Sequence, residues 1–369
     1  MSVIHVFLMQ KNLQLKKPQT QGANIMKMTA TRFAAASLLA ALSLTSSYAG
    51  GIAQPNGIFT VPVVGPSKLN LLATPFARSV VAEGTISAQT GSILNVSAVP
   101  AMTDGLPYVL EIQDGDYIGV IALVTASTGN ASGGTVTVQY SFPAGAIASG
   151  ARYAIRPDWT ISTLFGAAAT SQVGSSTSYG GGDVLQIFNP VTQRLENFWR
   201  QRTGSLPNFN YAWLTQAGTP ADNVRVPLGE GFIIKRFSAT TLNLRLSGEL
   251  RQTRTRKEIL GNGKLNIVAN PNPYPVKLSQ SGLTPTAGTT PGGSDNIHFI
   301  NPNTGRFISY YRKSNSGSAW FSAAGEPADN VTIPAGGALI YQRGSTRGDL
   351  TGRSAAKLNP VSFANAPGI

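Results

Sequence analysis

Apolar residues recur along this chain in short runs that Gly, Pro, Ser and Thr interrupt. Helix templates fail almost everywhere, whereas strand templates fit repeatedly. The one helical candidate is Ile161–Ala169, which follows Pro157-Asp158-Trp159-Thr160. The pattern predicts an all-β chain with strands at Leu69–Ala73, Val80–Ile86, Ile93–Val96, Tyr108–Ile112, Tyr117–Thr125, Thr135–Tyr140, Tyr153–Ile155, Val184–Phe188, Leu195–Gln201, Phe232–Arg236 and Leu242–Leu246.

One phrase of the sequence occurs twice, as PADNVRVPLGEGF from Pro220 and as PADNVTIPAGGAL from Pro327. Over Gly218–Arg236 and Gly325–Arg343, ten of nineteen positions are identical. The Asp of each copy is suited to an Asx-type turn, and Pro and Gly to positions i+1 and i+3 of a type I turn. The phrase therefore predicts turn, strand, turn and strand in a packed β-hairpin.

The similarity extends upstream to a second turn. The stretch from Phe188 to Arg194 shares N-P-x-T-x-R with the stretch from Ile300 to Arg306. Asn-Pro favours turn initiation, so each copy predicts a hairpin tip. The aromatic residues after it also match, and the spacing between the matches differs by five residues in a polar loop, where length costs little. We infer two copies of one unit.

A third similarity places the start of the unit. Lys68–Pro75 resembles Lys264–Pro271, but in the first copy residues 76–155 follow before the pattern resumes. Short strands with turn signals in that stretch predict an inserted small β-barrel domain. The alternative is three domains in series. The predicted organisation is two homologous β-sandwich or barrel-like units, 50–75 plus 156–248 and 264–353, with a barrel at 76–155, a basic linker at 249–263 and a tail at 354–369.

The first 49 residues predict an export signal rather than a part of the fold. Lys27 and Arg32 precede the apolar run Phe33–Leu44, and Ser47-Tyr48-Ala49 is a small-x-small cleavage site. The apolar run is too short to span a bilayer, which takes about 20 residues. We expect Met26 or Met28 to be the true start, and a mature protein that is extracellular, on the cell surface or periplasmic.

Composition limits the chemistry of the mature chain. Five basic residues and no acidic ones leave with the leader, which lowers the formal net charge from +13 to +8. The basic run Arg245–Lys257 is predicted to be a solvated loop, because no base-reading geometry accompanies it, and no nucleic acid partner is expected. The chain has no cysteine. An exported protein without disulfides must rely on a packed core.

The repeated unit resembles a family of uncharacterised exported bacterial β-rich proteins. The resemblance rests on the N-P-x-T-x-R turn, the paired aromatics, the lone Trp and the A-D-N-x-x-(V/I)-P-x-G phrase. It implies an exported β-rich architecture across most of the mature chain. It carries over no catalytic residues.

Candidate catalytic groups are few. The single histidine of the mature chain, His298, has no G-x-S-x-G elbow in the sequence to serve and is predicted to face solvent from a strand. Asp183 and Asp295, and likewise Asp222 and Asp329, occupy equivalent positions and could form a glycosidase pair. Their turn positions favour a structural role. We therefore predict no catalytic residues, no metal site and no cofactor, with a carboxylate-based polysaccharide hydrolase as an alternative.

Aromatic residues give the best binding hypothesis. Adjacent aromatics on a strand point to opposite faces, so one of each pair is expected outside the core. Stacking on sugar rings beside an arginine would make the protein a carbohydrate-binding one, and the alternative is that these residues close the core. The predicted ligand-binding residues are Trp199, Arg200, Trp213, Tyr311, Arg312 and Trp320.

The leading prediction for function is an exported, non-enzymatic structural or adhesive β protein of the cell envelope or extracellular space. It rests on a duplicated scaffold without a recognisable catalytic motif. Extracellular or envelope polysaccharide and other envelope proteins are the expected partners. No transmembrane helix is expected in the mature chain.

Overall fold

A computed structural model describes residues 56–103, 105–251, 253, 255–301, 304–317, 319–350 and 356–358, the last three by their backbone alone. The predicted leader and most of the predicted tail lie outside these residues. The described chain is almost entirely β-structure, which confirms the predicted all-β class. No helix in the described ranges has the length and apolarity needed to cross a bilayer.

The strands fall into three groups along the chain. Those up to the end of the inserted barrel are β1 (Asn56–Val63), β2 (Leu69–Ala73), β3 (Phe76–Ala77), β4 (Ala82–Thr90), β5 (Ile93–Val96), β6 (Tyr108–Ile112), β7 (Ile121–Asn130), β8 (Gly133–Val138) and β9 (Ala151–Pro157). The rest of the first unit has β10 (Trp159–Thr160), β11 (Ser175–Ser176), β12 (Val184–Asn189), β13 (Arg194–Ser205), β14 (Asn208–Thr215), β15 (Arg225–Val226), β16 (Gly231–Lys235) and β17 (Leu242–Leu250). The remainder are β18 (Thr255–Lys257), β19 (Leu265–Ala269), β20 (Val276–Lys277), β21 (Asn296–Ile300), β22 (Phe307–Lys313), β23 (Ala319–Ser322), β24 (Thr332–Ile333), β25 (Ala338–Gln342) and β26 (Ala356–Leu358).

Helical structure is short. The α-helix α1 spans Ile161–Phe165, so it begins where the sequence predicts and is little longer than the single turn that the sequence allowed as the shorter alternative to Ile161–Ala169. Thr160 caps it, with its side chain accepting from the backbone N–H of Thr163, and Gly166 at φ +90° ends it. Three 3₁₀ turns lie at Gly115–Tyr117, Leu278–Gln280 and Pro291–Gly293, and a fourth lies at Ser314–Ser316.

Strands β4 to β9 close into a six-stranded barrel in the order β4-β5-β8-β7-β6-β9. Alternate residues point inward, as in β5, where Leu94 and Val96 are buried while Ile93 and Asn95 are exposed. The barrel has its own core of buried side chains, which includes Ile86, Leu94, Leu110, Val136, Tyr153 and Ile155. The fold thus contains a small closed barrel within the first unit.

The two units build sheets of the same strand order. The first sheet runs β2-β16-β12-β13, with β14 on β13 and β11 at the edge. The second runs β19-β25-β21-β22-β23. Each also has a two-stranded ladder, β10 with β15 and β20 with β24. Strand equivalence therefore follows the sequence repeat from beginning to end.

Buried asparagines show that this equivalence reaches individual hydrogen bonds. Nδ2 of Asn70 donates to the carbonyls of Val64, Lys68 and Ile234, and Oδ1 accepts from the N–H of Val64. Asn266 makes the corresponding bonds to Leu260, Lys264 and Tyr341, each at the matching position of its own copy. A buried amide must be fully paired, which explains why both copies keep Asn there.

The two sheets pack against each other through equivalent residues. The N–H of Ala73 donates to the carbonyl of Gly336 at 2.8 Å, and the N–H of Ala269 donates to the carbonyl of Gly229 at 3.1 Å. Since Ala73 matches Ala269 and Gly229 matches Gly336, the contact is reciprocal, like an isologous interface between subunits. Its buried apolar core consists of Leu71, Ala73, Phe188, Ile233, Ile267, Ala269, Ala338 and Ile340.

The repeated phrase does not form a hairpin, contrary to the prediction. Strand β15 pairs with β10, whereas β16 pairs with β12 and β2, so the turn between β15 and β16 carries the chain from one ladder to another. The N–H of Glu230 donates to the carbonyl of Pro227, so Pro227 and Gly229 occupy the first and third turn positions rather than the predicted second and fourth, and Gly229 has φ +82°. Gly336 repeats this with φ +60°. Glycine is needed there because the left-handed region excludes most side chains.

The basic run Arg245–Lys257 is not a solvated loop. Arg251 and Arg256 are buried, and Arg251 Nη2 lies 2.6 Å from Oε1 of the buried Glu111 in the barrel. Arg156 of β9 lies 3.4 Å from both Glu111 and Glu249. Arg251 thus supplies a cation to a carboxylate buried in the barrel, and Lys257 of the same run pairs with Glu230.

Candidate functional site

The predicted ligand-binding residues lie mostly inside the two units. Trp213 is fully buried and donates from Nε1 to the carbonyl of Gly166 at 3.1 Å. Trp199 is buried and donates to the carbonyl of Thr215 at 3.1 Å. Tyr311 and Trp320 are buried in the second unit, and Arg312 is half-buried. Buried indoles with their N–H groups paired support the core role that the sequence left as an alternative.

Arg200 has a structural environment in the first unit. Its Nε donates to the carbonyl of Ala168 at 2.5 Å, and Nη1 donates to those of Ser171 at 3.0 Å and Val173 at 2.8 Å. Burial lowers the pKa of its guanidinium below the ordinary value. These bonds fix the loop between α1 and β12 to the sheet.

The hairpin of β13 and β14 extends beyond the sheet that carries it. Strand β12 pairs with β13 only up to Trp199, and β11 adds two pairs, at Arg200 and Gln201. Within the described part of the chain, Arg202–Ser205 pair with Asn208–Tyr211 and with no other strand. We call residues 202–211 the outer arm. At its tip, Leu206 is 80 % exposed, which leaves an apolar side chain in solvent.

One face of the outer arm stacks cations on rings. Cross-strand pairing places Arg202 beside Tyr211 and Gly204 beside Phe209, so these side chains share a face with Arg200. The Arg200 guanidinium lies 4.3 Å from the centroid of the Tyr211 ring. The Arg202 guanidinium lies 4.7 Å from the centroid of the Phe209 ring. Both distances suit cation–π attraction. The ladder thus continues from the buried core into the half-buried side chains of the arm.

The opposite face of the arm is polar and uncharged. Thr203, Ser205, Asn208 and Asn210 are all exposed there. The Nε atom of Arg202 has no hydrogen-bond partner in the described structure. No acidic residue occurs from Asn197 to Ala221. The arm therefore offers hydroxyls, amides and one cation, without a carboxylate in its own sequence.

The second unit lacks this arm. Its hairpin of β22 and β23 is shorter and closes through the 3₁₀ turn Ser314–Ser316. Counting from the matched Arg312 and Trp320, the positions of Arg202, Phe209 and Tyr211 are taken by Ser314, Ser316 and Ser318. The inner residues are shared and the outer ones differ, so the fold of the unit does not require the outer ladder.

Sequence reasoning missed Arg202 and Phe209, because the aromatic pairs nearer the core carried the hypothesis. The alternation of R-Q-R on one strand against F-N-Y-A-W on the other could have indicated them. That reading needs the hairpin register, which sets which residues face each other.

The buried carboxylates of both units serve as hydrogen-bond acceptors. Asp183 accepts from the N–H groups of Gly174 at 2.7 Å and Phe237 at 2.8 Å, and its Oδ2 lies 2.5 Å from Nη1 of Arg236. Asp295 accepts in the same way from the N–H groups of Thr286 and Gly344 and pairs with Arg347 at 2.8 Å. Burial alone would raise the pKa of Asp295, but these donors hold it below 3.8.

The second pair of repeated carboxylates is less buried. Oδ1 of Asp329 accepts from the N–H of Trp320 at 3.0 Å, so it ties the phrase to β23 rather than closing the predicted Asx turn. The carbonyls of Asp222 and Asp329 accept from the N–H groups of Ser162 and Ser279 at 3.0 and 3.3 Å. These bonds fix the start of α1 and its counterpart in the second unit.

His298 is half-buried rather than solvent-facing, which corrects the prediction. Its Nδ1 lies 2.8 Å from Oγ of Ser309 and its Nε2 lies 3.3 Å from Oε1 of Gln342. Gln186, at the equivalent position, makes a matching cross-strand bond to Asn197. Burial lowers the pKa of His298 below its ordinary value. The side chain therefore joins neighbouring strands.

A small cavity of about 50 Å³ lies between the barrel and the first unit. Its lining includes Tyr140, Arg225 and Glu230, and the charges are paired: Arg225 with Asp158 at 2.5 Å and Glu230 with Lys257. Ligand pockets run to about 300 Å³ or more, so this cavity is suited to a few waters at most. Among the described residues, no cluster of three or more histidines and carboxylates could hold a metal ion.

Comparison of the chain with protein-family models, with curated proteins and with solved structures found no match. The resemblance to exported β-rich proteins stays a prediction, and the functional argument rests on the geometry alone.

Proposed function

We propose that this protein is an exported, non-enzymatic structural or adhesive component of the cell envelope or extracellular space. The observation that carries the proposal is that the repeated carboxylates are engaged in hydrogen bonds and ion pairs within the fold. Asp183 and Asp295 each accept two backbone N–H bonds and an arginine in equivalent places of two units. A carboxylate held in this way supports a fold and is poorly placed to exchange protons with a substrate.

A panel of plant, bacterial and algal polysaccharides tests this proposal. The purified protein should release no reducing ends from any of them. Asp222→Asn is the matched variant, because Asp222 is the more accessible of the repeated carboxylates in the first unit. Hydrolysis by the wild type that Asp222→Asn abolishes would establish the hydrolase alternative.

Export is part of the same proposal and has its own measurement. Mass spectrometry of the protein recovered outside the cytoplasm should give a mature N-terminus at Gly50, directly after the predicted Ser47-Tyr48-Ala49 cleavage site. Recovery of the uncleaved chain in the cytoplasm alone would contradict it.

Carbohydrate binding is the second candidate, and the outer arm favours it. On one face of the arm, half-buried aromatic rings lie beside a guanidinium, and these are groups that sugar rings contact. An adhesive protein that holds polysaccharide would unite both candidates.

A further inference from the structure

We propose that the outer arm binds a polysaccharide of uronic acids, with Arg202 holding a sugar carboxylate and Phe209 and Tyr211 contacting the sugar rings. The inference rests on the proposed non-enzymatic function and names the ligand of that function. It follows from what the arm presents, from what the second unit lacks, and from the charge around the arm.

The arm carries residues that the second unit does without, although one of them, Tyr211, also packs against the core of the first unit. Burial and hydrogen bonding account for Arg200 and Trp213, which both units keep as Arg312 and Trp320. Arg202, Phe209 and Tyr211 continue the ladder into a two-stranded segment without a third strand. A bare two-stranded hairpin is only marginally stable in water, so an extension of this kind gains little for the fold. The half-buried Phe209, which the second unit replaces by Ser316, is therefore a candidate for binding together with Arg202.

The chemistry of the arm selects a carboxylated sugar. A guanidinium pairs with a carboxylate through charge-assisted hydrogen bonds. The Nε atom of Arg202 is buried, but the side chain as a whole is only half-buried, so its outer part can reach a ligand. The absence of acids from Asn197 to Ala221 removes local competition for the guanidinium. Thr203, Ser205 and Asn208 lie on the opposite face of the arm and take no part in this contact.

A phosphate-rich polymer fits this surface less well. Nucleic acids are bound by several cations that follow the backbone, together with stacking rings. Arg202 is the only cation between Gln201 and Gln216, which is too few to follow a phosphate backbone. One cation beside two rings suits a sugar that carries a single carboxylate.

Titration calorimetry with polygalacturonate tests the proposal, and the same polymer with its carboxyl groups reduced to alcohols is the matched ligand. The purified wild-type protein should bind the first and bind the second at least about tenfold more weakly, as expected for loss of a charge-assisted hydrogen bond. Arg202→Gln and Phe209→Ala should each weaken binding of polygalacturonate about tenfold or more.

Arg194→Gln is the control variant, because Arg194 is an exposed arginine at the other end of β13 and its loss changes the net charge equally. It should leave the affinity within about twofold. Circular dichroism checks that each variant is folded. If Arg202→Gln is poorly folded, Arg202→Lys takes its place. It keeps the charge without the planar guanidinium, so its affinity for polygalacturonate should lie below that of the wild type.

Four results would overturn the proposal: no binding by the wild type, equal binding of the reduced polymer, equal loss in Arg194→Gln, or tighter binding of dextran sulfate or single-stranded DNA. The last would indicate a general polyanion surface. Absence of binding would leave the non-enzymatic function standing, whereas cleavage of the polymer would contradict that function itself.

Discussion

Replacing Gly231 by alanine should loosen the contact between the two sheets. Gly231 begins β16, where the reciprocal contact brings the second sheet against its backbone. An added Cβ would lie 2.8 Å from Cγ2 of Ile267 and 2.8 Å from the carbonyl oxygen of Leu72, and closer still to Cβ of Ala338. Carbon atoms pack best at about 3.5–4.0 Å, so the backbones must separate by roughly 1 Å.

The magnitude follows from overpacking in a close-packed interior. Such insertions typically cost about 1–3 kcal/mol, and we expect the upper part of that range because one obstructing atom belongs to the backbone. Ala338→Gly alone should cost about 1–2 kcal/mol, through a lost buried methyl and added chain entropy. In the double variant, Ala338→Gly should recover part of the loss, because it removes the nearest obstructing atom.

Chemical unfolding followed by tryptophan fluorescence measures all three variants. The free energy of unfolding of the double variant should exceed the value expected from adding the two single losses by at least about 0.5 kcal/mol, because the two residues are in contact. Gly231→Ala with wild-type stability, or strictly additive losses, would refute the reciprocal packing of the two sheets.

Two further predictions separate core, arm and strand roles. Trp213→Ala should cost about 3–5 kcal/mol of stability, because it removes a fully buried indole, whereas Phe209→Ala should change stability by less than about 1 kcal/mol. Thermal unfolding compares the two variants. Equal losses would contradict the division between core and arm. His298 has a folded-state pKa below its ordinary 6.5, so the stability that its neutral form contributes is present above that value and is lost as pH falls through the folded pKa. His298→Gln, which copies Gln186, should lose less stability than the wild type between about pH 7 and pH 5 in a pH series of melting temperatures, and parallel profiles would contradict this role.

The sequence was most informative where local patterns determine structure. The alternation in Ile93–Val96 and the apolar run Tyr108–Ile112 predicted β5 and β6 with the observed bounds. The N-P turn predicted the hairpin of β12 and β13, since Asn189 pairs with Arg194 across it. In these segments propensity, turn chemistry and burial all favour the same structure.

The sequence could not predict which distant strands and side chains pair with one another. The phrase from Pro220 encodes a turn between two strands correctly, but β15 joins β10, and no local pattern indicates that partner. The sequence predicted a solvated Arg251 because its acidic partner, Glu111, is far away in the chain. The sequence identified the aromatic residues but not their depth, because burial depends on packing, and Trp199, Trp213 and Trp320 are buried.

The central proposal is that each repeated carboxylate stabilises the fold of its own unit and takes no part in catalysis. Thermal unfolding of Asp183→Asn and Asp295→Asn tests it most directly. Each change leaves an arginine, Arg236 or the partly buried Arg347, without its carboxylate and leaves backbone N–H groups with a poorer acceptor. Both variants should lose about 3 kcal/mol or more, seen as a fall in melting temperature of at least about 6 °C. Wild-type melting temperatures in both variants, together with loss of a polysaccharide-cleaving activity that the wild type possesses, would contradict it.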